Sequence, residues 1–191
     1  MEPTPRFSLT ALAGLALAAG LILAGCVAES PFDELNQAKP DGSAFSQALF
    51  KNYAFLARSF GVQNAPAGTA FDAEESMSIS NVDSAVADVA NAFAAKALVA
   101  AKGEEPLPEA APTDNQQAEE QRLRLLRALA QGRTKAPLDA ARTQANYDCW
   151  ILNGGVDELT AAAAQCQRAF LASLGQLERK VNMQAVPAPA Q

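Results

Sequence analysis

The sequence predicts an all-α protein of about five helices. Alanine, the strongest helix former, supplies 43 of the 191 residues, whereas aromatic residues make up only 6%. Sandwiches and barrels of strands favour β-branched and aromatic residues, so this composition argues against them. Apolar residues also recur at spacings of three and four over several long stretches, which is the period of an amphipathic helix.

Charge and the absence of histidine exclude several classes of function. The 15 basic and 21 acidic side chains give a net charge of −6, which disfavours electrostatic binding of nucleic acid. Without histidine the chain cannot use a Ser-His-Asp or Cys-His nucleophile, and it offers no imidazole to zinc or copper. The sequence has no Gly-rich phosphate loop or cluster of metal ligands either. We therefore expect no metal, no cofactor and no enzymatic activity.

The first 25 residues have the pattern of a secretory signal peptide. Arg6 precedes a run of apolar or small residues over 9–25, which is shorter than the roughly 20 residues of a membrane-spanning helix. The run ends in Leu23-Ala24-Gly25-Cys26, which resembles a bacterial lipobox. The resemblance implies cleavage before Cys26 and acylation of that cysteine, with anchoring by two or three acyl chains. The alternative is an uncleaved membrane helix with an incidental cysteine.

The expected mature chain has three parts. A flexible tether covers 26–42, a helical domain covers 43–182, and a Pro/Ala tail covers 183–191. In the best-known sorting rule for lipoproteins, an aspartate after the acylated cysteine retains the protein in the inner membrane. Here that residue is Val27, so we expect the periplasmic face of the outer membrane.

Apolar stripes at the helical period predict three helices in the first part of the domain, at 43–60, 82–102 and 115–131. Two connections separate them. Residues 61–80 form an unusually long loop, and 104–114 form a linker that contains three prolines.

Local signals indicate where these helices begin and end. Asp41 or Ser43 can cap the first helix, and Gly103 suits the position after the second. Gly132 is expected to stop the third. The apolar face predicted for that third helix consists of Leu123, Leu126 and Ala130.

The last two predicted helices, 137–152 and 157–182, form an antiparallel hairpin around Asn153-Gly154-Gly155. Cys149 and Cys166 both lie on the inward stripes of this hairpin. Since export leads to an oxidising compartment and Cys26 is used for acylation, we predict a Cys149–Cys166 disulfide. Two buried free thiols are the alternative, because a stagger of one turn would hold the two Cα atoms too far apart.

Four residues form a possible partner surface, namely Arg122, Arg124, Arg127 and Trp150. The arginines, together with Arg133, could bind an anion. The simpler interpretation is a solvated face that pairs with Glu119 and Glu120. Likewise, a lone tryptophan more often packs in a core than serves as a binding platform.

Several blocks together resemble the N-terminal periplasmic region of certain OmpA-family lipoproteins of Gram-negative bacteria. They are Asp88-Val-Ala-Asn-Ala-Phe93-Ala-Ala-Lys96, Arg124-Leu-Leu-Arg-Ala-Leu129, Tyr147-Asp148-Cys149-Trp150 and Cys166-Gln-Arg-Ala-Phe170. In that family the helical region precedes a peptidoglycan-binding domain. No such domain follows in this sequence, so direct binding of peptidoglycan is not expected.

The lipobox, the all-helical body, the predicted disulfide and the lack of catalytic motifs together favour a lipid-anchored protein of the outer membrane whose helical domain has a structural or protein-binding role. We expect the membrane and other envelope proteins as partners. The fold would be a small bundle or a tetratricopeptide-like array of helical hairpins. A carrier of a small ligand or lipid is the alternative function. A hydrolase that uses paired carboxylates is the least favoured, because neighbours on a helix, such as Glu119-Glu120, do not face each other, and pairs in loops, such as Glu104-Glu105, are ordinarily solvated.

Overall fold

The computed structural model describes residues 31–62 and 84–183, which form six α-helices and one short 3-10 turn without a strand. The helices are α1 (Pro31–Gln37), α2 (Ala44–Val62), α3 (Ser84–Ala101), α4 (Gln116–Lys135), α5 (Pro137–Gly154) and α6 (Thr160–Met183), and the turn Asp157–Leu159 leads into α6. The all-α prediction is confirmed. The segment 1–30, which contains the signal peptide and Cys26, lies outside the described residues, as do 63–83 and 184–191.

Two helical pairs, α2 with α3 and α5 with α6, make the most extensive contacts. Helix α5 also packs against α2 and α4, so it lies at the centre of the domain. The largest fully buried side chains come from several helices, and they include Tyr53, Phe93, Tyr147, Phe170 and Leu174. Between them lie buried alanines such as Ala94, Ala97, Ala140 and Ala141, whose small size lets helices approach closely. The extensive contact between α5 and α6 is that of the predicted hairpin of the last two helices.

The predicted helix ends are largely correct. Ser43 caps α2, because its hydroxyl oxygen accepts the backbone N–H of Ser46 at 3.0 Å. Asn115 caps α4 by accepting the N–H of Ala118 at 2.9 Å. Gly103 follows α3 with a φ of +82°, a backbone conformation that glycine adopts without strain.

A second glycine, Gly42, meets Gly103 where the chain enters α2. Its φ is +86°, and a Cβ atom at this position would lie 2.5 Å from the Cα of Gly103. The backbone N–H of Asp41 donates to the carbonyl of Ala101 at 3.0 Å beside this contact. Two glycines thus let the start of α2 and the end of α3 touch through their backbones.

The predicted flexible tether is wrong for residues 31–37, which form α1. Its composition is that of a linker, but Pro31 occupies the first helical position, where its ring is well tolerated. Leu35 is buried and Phe32 packs against the core. These two apolar side chains, one turn apart, attach the helix to the domain.

The predicted face and end of the third helix are also wrong. In α4 the buried residues are Ala118, Leu125, Ala128, Leu129 and Gly132, whereas Leu123 and Ala130 are exposed and Leu126 is half-buried. Nor does Gly132 stop the helix, which continues to Lys135. A Cβ atom at Gly132 would lie 3.0 Å from Leu177, so the glycine is present because α6 packs closely there.

Candidate functional site

The predicted disulfide between Cys149 of α5 and Cys166 of α6 is confirmed. The two sulfur atoms are 2.03 Å apart and the two Cα atoms 5.6 Å apart. The side-chain amide of Asn153 lies beside the bond, with its Nδ2 at 3.3 Å from the sulfur of Cys149. The alternative of two free thiols is therefore wrong.

The four residues of the predicted partner surface do not form one surface. Trp150 is buried, and its ring stacks on Phe170 and meets Tyr147 edge to face. Trp150 is thus part of the core, and its assignment to a partner surface is wrong. Of the three arginines in this set, only Arg127 is classed as exposed.

The other arginines hold neighbouring segments together, and none of the ion pairs found for them uses Glu119 or Glu120. Arg122 donates from Nε to the carbonyl of Glu109 at 2.7 Å. Arg124 forms a two-pronged ion pair with Glu178 of α6. Arg133 pairs with Glu105 at 3.2 Å and lies over the ring of Phe45. Arg124 and Arg133 therefore pair with Glu178 and Glu105 instead of the predicted Glu119 and Glu120.

A buried polar cluster, which the sequence analysis did not predict, lies between α2, α3 and α5. It consists of Tyr53, Lys96, Glu109, Gln144 and Asp148. The carboxylate of Asp148 is fully buried and accepts the hydroxyl of Tyr53 at 2.6 Å. Lys96 places its ammonium 3.0 Å from Asp148 and 2.9 Å from Glu109. Gln144 donates to the Tyr53 oxygen at 3.0 Å, so the cluster is continuous.

The cluster binds the backbone of the connection between α3 and α4, residues 104–114, which we call the strap. The carbonyls of Pro106 and Leu107 accept hydrogen bonds from Gln144 at 2.6 Å and from Lys96 at 2.8 Å. The N–H of Glu109 donates to Asp148 at 2.8 Å. An extended segment has no internal partners for its backbone groups, so these side chains take the place of secondary structure.

Burial controls the ionisation of the cluster. Loss of hydration raises the pKa of Asp148, while the Lys96 ammonium and the hydrogen bonds from Tyr53 and Glu109 act in the opposite direction. Burial also raises the pKa of Tyr53 well above its usual value, and the neighbouring Asp148 carboxylate adds to the effect. Burial thus raises the pH at which each of the two groups loses its proton.

Both oxygens of Asp148 are engaged by hydrogen bonds within the domain, and its carboxylate is shielded from solvent. A general base must reach a proton of its substrate, which this carboxylate does not. The cluster is thus suited to fixing the strap on the helices. Lys96 and Asp148 belong to two of the sequence blocks on which the family resemblance rests. No local pattern in the sequence indicates that the two residues meet.

A shallow groove on the exterior of α2 is lined by Lys51, Phe55, Arg58 and Ser59. We call these four residues the α2 groove. Phe55 is 68% exposed, which is the highest value found among the large hydrophobic residues of the described part of the chain. Lys51 and Arg58 lie one turn before and after it, so two cations flank the ring. The groove contains no acidic side chain.

Over 31–62 and 84–183, no group of three or more acidic or cysteine side chains is placed to hold a metal ion. None of the helices in these ranges is both long and apolar enough to cross a bilayer. Comparison of the chain with protein-family models, with curated proteins and with solved structures gives no match.

Proposed function

We propose that this chain is a lipoprotein anchored to the outer membrane through Cys26, and that its helical domain serves the cell envelope as a structural or protein-binding adaptor. The observation that carries the proposal is the lipobox-like Leu23-Ala24-Gly25-Cys26, placed at the end of an apolar run. Only residues 27–30 separate this cysteine from α1, where the described domain begins.

The construction of the domain supports a role as a rigid scaffold. A disulfide joins α5 to α6, an arginine–carboxylate pair joins α4 to α6, and the polar cluster joins the strap to three helices. A disulfide is typical of proteins that fold in an oxidising compartment, in agreement with an exported domain. A binding surface on such a scaffold keeps its geometry when the chain is tethered at one end.

The anchor is tested by the intact mass of the protein purified from its native membrane. We expect a chain that begins at Cys26 and carries two or three acyl groups, whereas a Cys26→Ser variant should keep its signal segment and lack lipid. An unmodified Cys26 in the wild-type protein would overturn the proposal.

The adaptor role is tested by cross-linking whole cells and then capturing the acylated protein. We expect one envelope protein to be captured reproducibly by the wild type and to be lost when Cys26→Ser abolishes anchoring. Capture of only the chain itself would contradict an adaptor. Lipid that co-purifies with the non-acylated variant would instead favour a carrier.

A further inference from the structure

The α2 groove combines an exposed aromatic ring with two cations on the outside of an acidic protein. Phe55 is mostly exposed although the domain has an aromatic core that accommodates other rings, including Tyr53 two residues earlier. The chain as a whole carries a charge of −6. The described residues that line this surface, among them Lys51, Phe55 and Arg58, include no acidic residue, so the surface complements an anionic apolar partner.

The groove adjoins α1, the first described element after Cys26 in the sequence. Arg58 donates from Nη2 to the side-chain oxygen of Asn36 at 3.2 Å, which connects the groove to α1. From Pro31 at the start of α1, the chain reaches Cys26 over at most about 18 Å even when fully extended. An anchor at Cys26 therefore keeps α1 and the adjoining groove close to the bilayer surface.

We propose that the α2 groove is a membrane-contact surface, in which Phe55 enters the headgroup region of an anionic phospholipid bilayer while Lys51 and Arg58 bind lipid phosphates. This inference rests on the proposed anchoring at Cys26. Aromatic rings are favoured at the boundary between headgroups and acyl chains, and basic side chains are attracted to anionic lipid. The contact fixes the orientation of the domain, so that its remaining faces are turned towards the periplasm.

The test uses the full-length acylated protein in vesicles of phosphatidylethanolamine and phosphatidylglycerol. The photoreactive residue benzoylphenylalanine replaces Phe55 in one variant and Leu138 in a control variant, since these side chains are 68% and 67% exposed. Leu138 belongs to the first turn of α5, shortly after Arg133, which packs over Phe45 at the start of α2. After illumination, mass spectrometry counts the lipid adducts at each position.

We expect at least tenfold more lipid adducts at position 55 than at position 138. Lys51→Gln should lower the yield at position 55 several-fold, because each basic side chain near an anionic surface strengthens attraction by about fivefold. Arg58 is left unchanged in this test because of its bond to Asn36.

Three outcomes would overturn the inference. The first is an equal yield of lipid adducts at both positions, or no adducts at either, in a protein whose mass confirms acylation and which floats with the vesicles. This result would refute membrane contact by the α2 groove but not the proposed anchoring at Cys26. Adducts from position 55 to another protein or to a second copy of the chain would assign the groove to that partner instead. A protein without acyl groups at Cys26 would overturn the proposed function and this inference together.

Discussion

The hydroxyl of Tyr53 donates to the carboxylate of Asp148 at 2.6 Å, although the two residues are 95 positions apart in the sequence and both are fully buried. Lys96 and the backbone of Glu109 meet the same carboxylate. One side chain of α5 therefore joins α2, α3 and the strap, and its replacement should affect all of them together.

Asp148→Ala should lower the free energy of unfolding by about 3–5 kcal/mol, because it leaves the Tyr53 hydroxyl and the Glu109 N–H without their acceptor and removes one of the two carboxylates that pair with the Lys96 ammonium. Urea unfolding followed by circular dichroism measures the change. The matched control is Asp139→Ala, which removes a surface partner of Lys180 and should cost no more than about 1 kcal/mol. Equal losses for the two variants would contradict the importance of the cluster.

The raised pKa of Asp148 predicts how stability depends on pH. In the folded protein this carboxyl keeps its proton to a higher pH than in the unfolded chain, where its pKa is about 3.9. Its contribution to stability is therefore full below the unfolded pKa and is lost as pH rises through the folded pKa. The stability of the wild type relative to Asp148→Asn should decline over that interval and stay constant above it. A difference that increases with pH, measured by urea unfolding across the acid range, would refute this.

The raised pKa of Tyr53 predicts how the stability of the protein changes at alkaline pH. Because burial raises its pKa, the folded protein keeps this phenol neutral above about pH 10, where the unfolded chain ionises it. Stability should therefore fall as pH rises above that value. Phenolate absorbance should show ionisation of Tyr53 only together with unfolding, and the Tyr53→Phe variant should lack that component. Smooth ionisation without loss of helical signal would contradict the buried position.

Gly42→Ala should destabilise the protein by about 2 kcal/mol or more. The new methyl group would meet the backbone of Gly103 at 2.5 Å, and the positive φ of Gly42 is unfavourable for alanine. Gly154→Ala is the control, because a Cβ atom there meets nothing within 4 Å. Thermal unfolding should separate the two variants clearly, and similar midpoints would argue against the glycine contact.

Reduction of the Cys149–Cys166 disulfide should lower the free energy of unfolding by about 3 kcal/mol, as expected from chain entropy for its sequence separation of 17. Urea unfolding with and without reductant measures this loss. The double variant Cys149→Ala/Cys166→Ala should be insensitive to reductant. A wild-type protein whose unfolding midpoint does not respond to reduction would show that helix packing alone holds the hairpin.

The sequence predicts the helices and the disulfide well because both depend on local spacing. Phe45, Leu49 and Tyr53 recur at the helical period, and each is buried. In α4, by contrast, leucines lie on several sides, so the period leaves open which side faces the core. The packing of Leu177 of α6 against Gly132 determines which side of α4 faces the core. The local sequence of α4 does not indicate this contact.

The buried polar cluster was not predictable for a similar reason. Asp148 looks like any polar residue within a helix, and its partners Tyr53 and Lys96 belong to distant segments. Hydrogen bonds between residues so far apart in the chain produce no periodic pattern in the sequence. The strap, likewise, was recognised as a linker from its prolines, but its attachment through Pro106, Leu107 and Glu109 depends on the assembled helices.

The position of Asp148 also has a consequence for the order in which the domain is completed. In a chain that is exported from its N-terminus, α2, α3 and the strap arrive before α5, so the donors from Tyr53 and Glu109 precede their acceptor Asp148. A chain truncated before residue 148 lacks this acceptor, so both donors stay unpaired in it. Completion of the contacts between α2, α3 and the strap therefore depends on a residue from the last third of the chain.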